Sequence, residues 1–172
     1  MFIGNIMIAL KKFSKVLLKL QESVGIFLVL LIFLLTAAQV FSRFILNNPL
    51  GWTEELVRFV FIWSVFWGAV ILSKERQHIR VEIFHKYFSN SVNTFIKIFI
   101  NISIVIFFIY IIPPAFSYAL YAYNIKSTAL GISMFFVYIS LPLCGVFMTI
   151  YYIGHIIEDI YKFTKYHKSK KN

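Results

Sequence analysis

The residues of this sequence that could do chemistry are two adjacent carboxylates, Glu54 and Glu55, four histidines and one cysteine. Neighbouring glutamates on a helix point about 100° apart. They are poorly placed to share a proton or to hold a substrate between them. His78 and His85 fall on one polar connection, His155 at the end of an apolar run and His167 in a basic tail. A bis-histidine haem site needs two imidazoles facing each other from mid-span, and this distribution does not supply them. Cys144 lies inside an apolar run without a basic neighbour, which makes it an unreactive core thiol. A single cysteine also rules out an intrachain disulfide and a cysteine-rich metal site. The sequence holds no glycine-rich phosphate loop and no Ser/His/Asp or Cys/His set. It therefore predicts no catalytic, substrate-binding or metal site, no cofactor and no enzyme.

The elements that carry these residues are membrane spans. Hydrophobic residues make up 60% of the 172-residue chain and charged residues 14%, against about 25% charged in a soluble domain. The mean hydropathy is +0.80. Such a chain is expected to have lipid as its solvent. The net charge of +10 is not a nucleic-acid footprint, because the cations flank apolar runs instead of forming one basic face.

Taken in order, residues 1–23 read as a basic amphipathic helix. Phe13, Val16, Leu17 and Leu20 share one face, and Lys12, Lys15 and Lys19 lie off it. Such a helix suits the headgroup layer, with its lysines toward anionic lipid. A four-helix transmembrane domain follows over 24–157, with spans at about 24–41, 52–72, 95–116 and 132–153. Thr36-Ala37-Ala38 is a faint cleavage site, but the apolar run continues through Val40 and Phe41, so the first span is expected to be retained. Asn47-Asn48-Pro49 and Gly51 mark a tight turn before the second span. Thr53 is the expected N-cap of that span, with Glu54 and Glu55 in its first turn. Arg58 stands four residues after Glu54 and three after Glu55 and is expected to pair with one of them. An unpaired cation deep in a bilayer costs about 2.5–3.5 kcal/mol on insertion scales.

The connection from Lys74 to Lys97 mixes a period of two with a helical one and is expected to lie on the membrane surface, leaning helical. Pro113-Pro114 should kink or end the third span, and Tyr118, Tyr121 and Tyr123 form an aromatic belt beyond it. Pro142 implies a kink in the middle of the fourth span, tolerable where neighbouring helices or Ser/Thr groups cover the freed carbonyl. The basic tail, 158–172, is expected to fray. Mid-span polar groups are sparse: Thr36, Gln39, Ser64, Asn101, Ser103 and Ser140. They support helix packing but make a poor pocket for a charged substrate.

Fourteen Lys and Arg flank the N-terminal side, the connection between spans two and three and the tail, against Arg43 and Lys126 on the two opposite loops. That bias places both termini in the cytoplasm. The predicted fold is an all-α antiparallel bundle of four transmembrane helices with an N-terminal interfacial helix.

The stretch GWTEELVRFVFIW, followed by KERQHIRVEIF, resembles the small membrane subunit (DctQ-type) of tripartite ATP-independent periplasmic (TRAP) transporters. That family shows an aromatic-Thr-Glu-Glu start to its second span, an Arg one turn later and a His-Ile-Arg exit. Here these are Trp52, Thr53, Glu54, Glu55, Arg58, His78, Ile79 and Arg80. A Leu-Gly start to the fourth span and a proline within it are matched by Leu130, Gly131 and Pro142, while Glu82 stands where relatives often carry Asp. The resemblance implies a bacterial inner-membrane protein bound to a large multi-spanning subunit that holds the sodium and substrate sites. It also implies a periplasmic binding protein that delivers an organic acid, of dicarboxylate or sialic acid type. The small subunit would then be a scaffold, with Trp52, Glu54, Glu55 and Arg58 as candidates for the subunit interface or for docking. From the residues alone, two other readings stay open: a membrane anchor or haem-bearing subunit of a redox complex, and a stand-alone small carrier.

Overall fold

The computed structural model describes the backbone of residues 2–47, 50–74 and 90–169, and the side chains of 19–47, 50–74, 92–161, 163 and 164. Its helices are α1 (Phe2–Phe44), α2 (Gly51–Lys74), α3 (Asn90–Tyr121), a one-turn α4 (Phe135–Tyr138) and α5 (Ser140–Ser169). A 3₁₀ turn at Ala122–Asn124 follows α3. Four stretches are long and apolar enough to cross a membrane: Lys19–Phe44, Gly51–Lys74, Val92–Asn124 and Phe135–Tyr161. The shortest has 24 residues and is therefore about 36 Å long, enough for a hydrocarbon core of about 30 Å.

The chain divides into two compact units. The first holds α1, α2 as far as Ile71, and the loop Lys126–Ser133. Along α1, the positions withdrawn from solvent include 21, 25, 28, 32, 35, 39 and 42. They alternate steps of four and three, the spacing of a coiled-coil seam. This seam faces α2. The Trp67 indole donates to the Gln21 carbonyl at 2.9 Å, and Gln39 Nε2 donates to Glu54 Oε1 at 3.0 Å. These two bonds fix α1 and α2 as antiparallel. Gly25 lets the backbones approach, since a Cβ there would sit 3.1 Å from Ile71 Cδ1. Small residues play this part at membrane helix interfaces, where burial against lipid gives little driving force. The opposite face of α1 carries Ile26, Phe27, Val29, Leu30, Phe33 and Leu34, all exposed, as a lipid-facing surface requires. Three residues past the end of α1, Asn47 turns the loop in the left-handed region at φ 49°, a conformation Asn tolerates.

The second unit holds α3, α4 and α5. Phe108 and Ile112 of α3 lie against Gly145 of α5, where a Cβ would meet both at 3.2 Å. Tyr118 meets the Tyr138 ring edge-on at 4.9 Å. Phe163 shares an apolar groove with Val92, Phe95 and Ile98. Each contact pairs a later residue of α3 with an earlier one of α4 or α5, so the pair is antiparallel. Cys144 is fully buried, together with Val137, Tyr151 and Tyr152 on the same helical stripe. His155 Nε2 lies 2.8 Å from the Ser73 carbonyl, which ties the last turn of α2 to α5.

Several expectations are corrected. Thr53 is not the N-cap: α2 begins at Gly51, and the buried Thr53 hydroxyl donates back to the Leu50 carbonyl at 2.6 Å. Pro113 and Pro114 do not end α3, which runs on to Tyr121. Each proline removes one amide donor, and the helix is continuous on both sides of the pair. Pro142 lies in the first third of the span Phe135–Tyr161 and not in its middle, and it is the third residue of α5. Its missing amide falls beside the break at Ile139 that separates α4 from α5. There the Ser140 hydroxyl donates to the Val137 carbonyl at 2.7 Å, whereas the carbonyl that Pro142 frees is that of Tyr138, four residues back. The tail does not fray at Glu158, since α5 continues to Ser169. Its lysines suit the negative end of a helix dipole. Residues 2–23 are helical, as expected, and continue into the first span within the 43 residues of α1. The expected surface segment at 75–89 lies outside the described residues.

Candidate functional site

The site forms where the first turns of α2 meet the loop between the last two spans. The loop is a tight antiparallel hairpin. Lys126 and Ser133 bridge, Ser127 N donates to the Ile132 carbonyl at 2.8 Å, and Gly131 N donates to the Ser127 carbonyl at 3.2 Å. Ile132 N bonds the Ser127 hydroxyl at 3.2 Å. Gly131 adopts φ 67°, a left-handed conformation that costs a side-chain-bearing residue roughly 1–2 kcal/mol. This turn leaves three successive amides, those of Thr128, Ala129 and Leu130, without loop carbonyls to bond.

Glu55 takes all three. Its Oε1 accepts from Thr128 N at 3.1 Å. Its Oε2 accepts from Ala129 N at 2.9 Å and Leu130 N at 2.8 Å. Backbone amides turned inward in this way form an anion nest, and here the anion is the chain's own side chain. A carboxylate engaged by three donors has little capacity left for proton transfer or ligand binding. Chemically, Glu55 is a clamp between α2 and the hairpin.

Glu54 points elsewhere. It is exposed and accepts the bond from Gln39. Arg58 is exposed one turn further on. The expected Arg58–carboxylate pair does not form: among the described residues Arg58 makes no ion pair, because Glu55 faces the hairpin and Glu54 the Gln39 amide. Trp52 is 42% exposed beside them. Trp52, Glu54, Glu55 and Arg58 thus stand at one end of α2, and only Glu55 is withdrawn from that surface. Lys19 is exposed at the far end of α1's apolar stretch. Lys12 and Lys15 lie on the helical backbone of α1, and His78, Ile79 and Arg80 lie outside the described residues.

The hairpin and Gln39 were not foreseen as partners of the two glutamates. The signal lay in Leu130-Gly131, read only as the start of a span. The Leu130 amide and the left-handed Gly131 are what aim the nest at Glu55.

The model of the family described as tripartite ATP-independent periplasmic transporters, DctQ component, matches residues 32–162. The chain belongs to this family. The DctQ component is a transport subunit and not an enzyme, so this chain is a small permease subunit of a TRAP-type secondary transporter. Its apolar helices make it a multi-spanning membrane protein, consistent with the inner membrane. The chain is 26% identical, over 81% of its length and 80% of the relative's, to the sialic acid TRAP transporter small permease protein SiaQ of Vibrio cholerae. It is 23% identical to a putative TRAP transporter small permease protein of Haemophilus influenzae, over 86% of this chain and 90% of that one. The sialic acid TRAP transporter permease protein SiaT of Haemophilus influenzae is 24% identical over 78% of this chain. That match takes up only 22% of SiaT, which is therefore several times longer than the segment it shares with this chain. Membership in the DctQ family replaces the redox-anchor reading. Within this chain, Glu55 of the second span binds the amides of Thr128, Ala129 and Leu130, the last of them from the Leu130-Gly131 pair.

Proposed function

We propose that this chain is the scaffold of a sodium-coupled transporter for an organic acid, of sialic acid or dicarboxylate type. It would hold the large multi-spanning subunit in place and help to dock the periplasmic binding protein. The observation that carries the reading is the SiaT match, in which a segment like this one takes up 22% of a longer chain named as a TRAP transporter permease. Two segments that function when covalently joined are expected to associate when separate. Two named relatives are sialic acid transporter proteins, which favours that substrate class. The four spans would run up and down with both termini cytoplasmic, so that the Glu55-clamped hairpin faces the periplasm. Lys12, Lys15 and Lys19 would rest on anionic lipid, and His78, Ile79 and Arg80 would lie on the cytoplasmic side. Co-purification tests the scaffold role. A tagged chain extracted from its native membrane should retain the large subunit at near-equal stoichiometry. Recovery of the chain alone, under conditions that preserve other membrane complexes, would contradict it.

A further inference from the structure

From Glu54 at the end of its first turn onward, the exposed residues of α2 form one line: Glu54, Arg58, Phe61, Val65 and Leu72. Gly68 completes the line, and a Cβ built there would meet nothing within 4 Å. The steps are four, three, four, three and four, the repeat of a helix-packing seam. α1 already uses such a seam to bind α2. The line on α2 has the same spacing and no described residue against it at Arg58.

Its chemistry differs from a lipid-facing surface. The outward face of α1 between Ile26 and Leu34 is wholly apolar. The line on α2 begins with a cation, Arg58, that makes no ion pair among the described residues. It continues with Phe61 at 55% and Val65 at 53% exposure, and then opens at a glycine. Small residues on a membrane helix let a second helix approach closely, while lipid gains nothing from them. A cation inside a span calls for an anion at its own depth.

We propose that this line, Arg58–Phe61–Val65–Gly68–Leu72, is the seat for a helix of the large transport subunit, and that this helix carries a carboxylate level with Arg58. The inference rests on the scaffold reading above. A second copy of this chain fits worse. Two copies inserted with the same topology would pair about an axis along the membrane normal and bring the two Arg58 cations to the same depth. Glu54, the nearest carboxylate on the line, already accepts the Gln39 amide.

The test uses the full complex in membranes. A photoreactive phenylalanine analogue is placed at position 61, 65 or 72, and at 33 or 34 on α1. Adducts to the large subunit should come from 61, 65 and 72 and not from 33 or 34. Arg58→Gln should lower co-recovery of the large subunit by roughly 30-fold, the scale of leaving a buried charge unpaired. Arg58→Lys should retain most of it. Membrane content and helicity of both variants should match the parent. Large-subunit adducts from α1 alone would overturn the proposal and leave the scaffold reading standing. Adducts only to lipid or to a second copy, or unchanged recovery for Arg58→Gln, would also overturn it. A parent chain that recovers no large subunit would overturn both.

Discussion

At the scale of single residues, the clamp by Glu55 gives the two adjacent glutamates different work. Glu55→Gln keeps the length of the side chain but replaces one acceptor oxygen with a donor, which then faces backbone N–H groups. Hydrogen exchange at Thr128, Ala129 and Leu130 should accelerate in Glu55→Gln, with the helix amides of α2 unaffected. Glu54→Gln removes a charge from an exposed position that makes a single bond to Gln39, so the same three amides should exchange as in the parent. Equal exchange in both variants would show that the carboxylate does not hold the hairpin. The sequence made Glu54 and Glu55 conspicuous but could not separate them. What separates them is a loop 73 to 75 residues away, and no local pattern encodes a contact at that distance. The misplaced Arg58 pair has the same origin, because helical spacing permits a pair without requiring it.

Among the elements, the spans were legible because lipid demands about 20 apolar residues in a row, and that signal survives any packing. Their ends were less so. Pro113 and Pro114 break local hydrogen bonds, yet α3 continues through them, so proline alone did not mark the boundary. Packing at the glycines is open to direct test. At Gly25 the nearest neighbour is the mobile end of Ile71, so Gly25→Ala should be tolerated, whereas Gly25→Leu should overpack the seam and cost about 1–3 kcal/mol. At Gly145 a Cβ would meet the Phe108 ring and Ile112 Cγ1 together. Neither yields readily, and Gly145→Ala should destabilise the α3–α5 pair by about 1 kcal/mol. Gly131→Ala should cost about 1 kcal/mol through its left-handed backbone, and Gly131→Asn less. Reversible unfolding of the purified chain in detergent micelles measures all five, and equal effects for Gly25→Ala and Gly145→Ala would contradict the packing described.

For the whole molecule, the charge bias of the flanks sets the expected orientation. Reporter fusions at Lys170 and beside Asn47 should report opposite sides of the membrane, with Lys170 cytoplasmic. A common side for both would overturn the up-and-down order of the spans. The central claim is that this chain supports transport without forming the path. Its mid-span polar residues are few, and one that α1 offers, Gln39, is already bonded to Glu54. The most direct measurement is sodium-driven uptake of labelled organic acid into liposomes, with each component omitted in turn. The account predicts no uptake by this chain alone and full uptake only when the large subunit, the binding protein and this chain are all present. Uptake by this chain alone, or undiminished uptake in its absence, would contradict it.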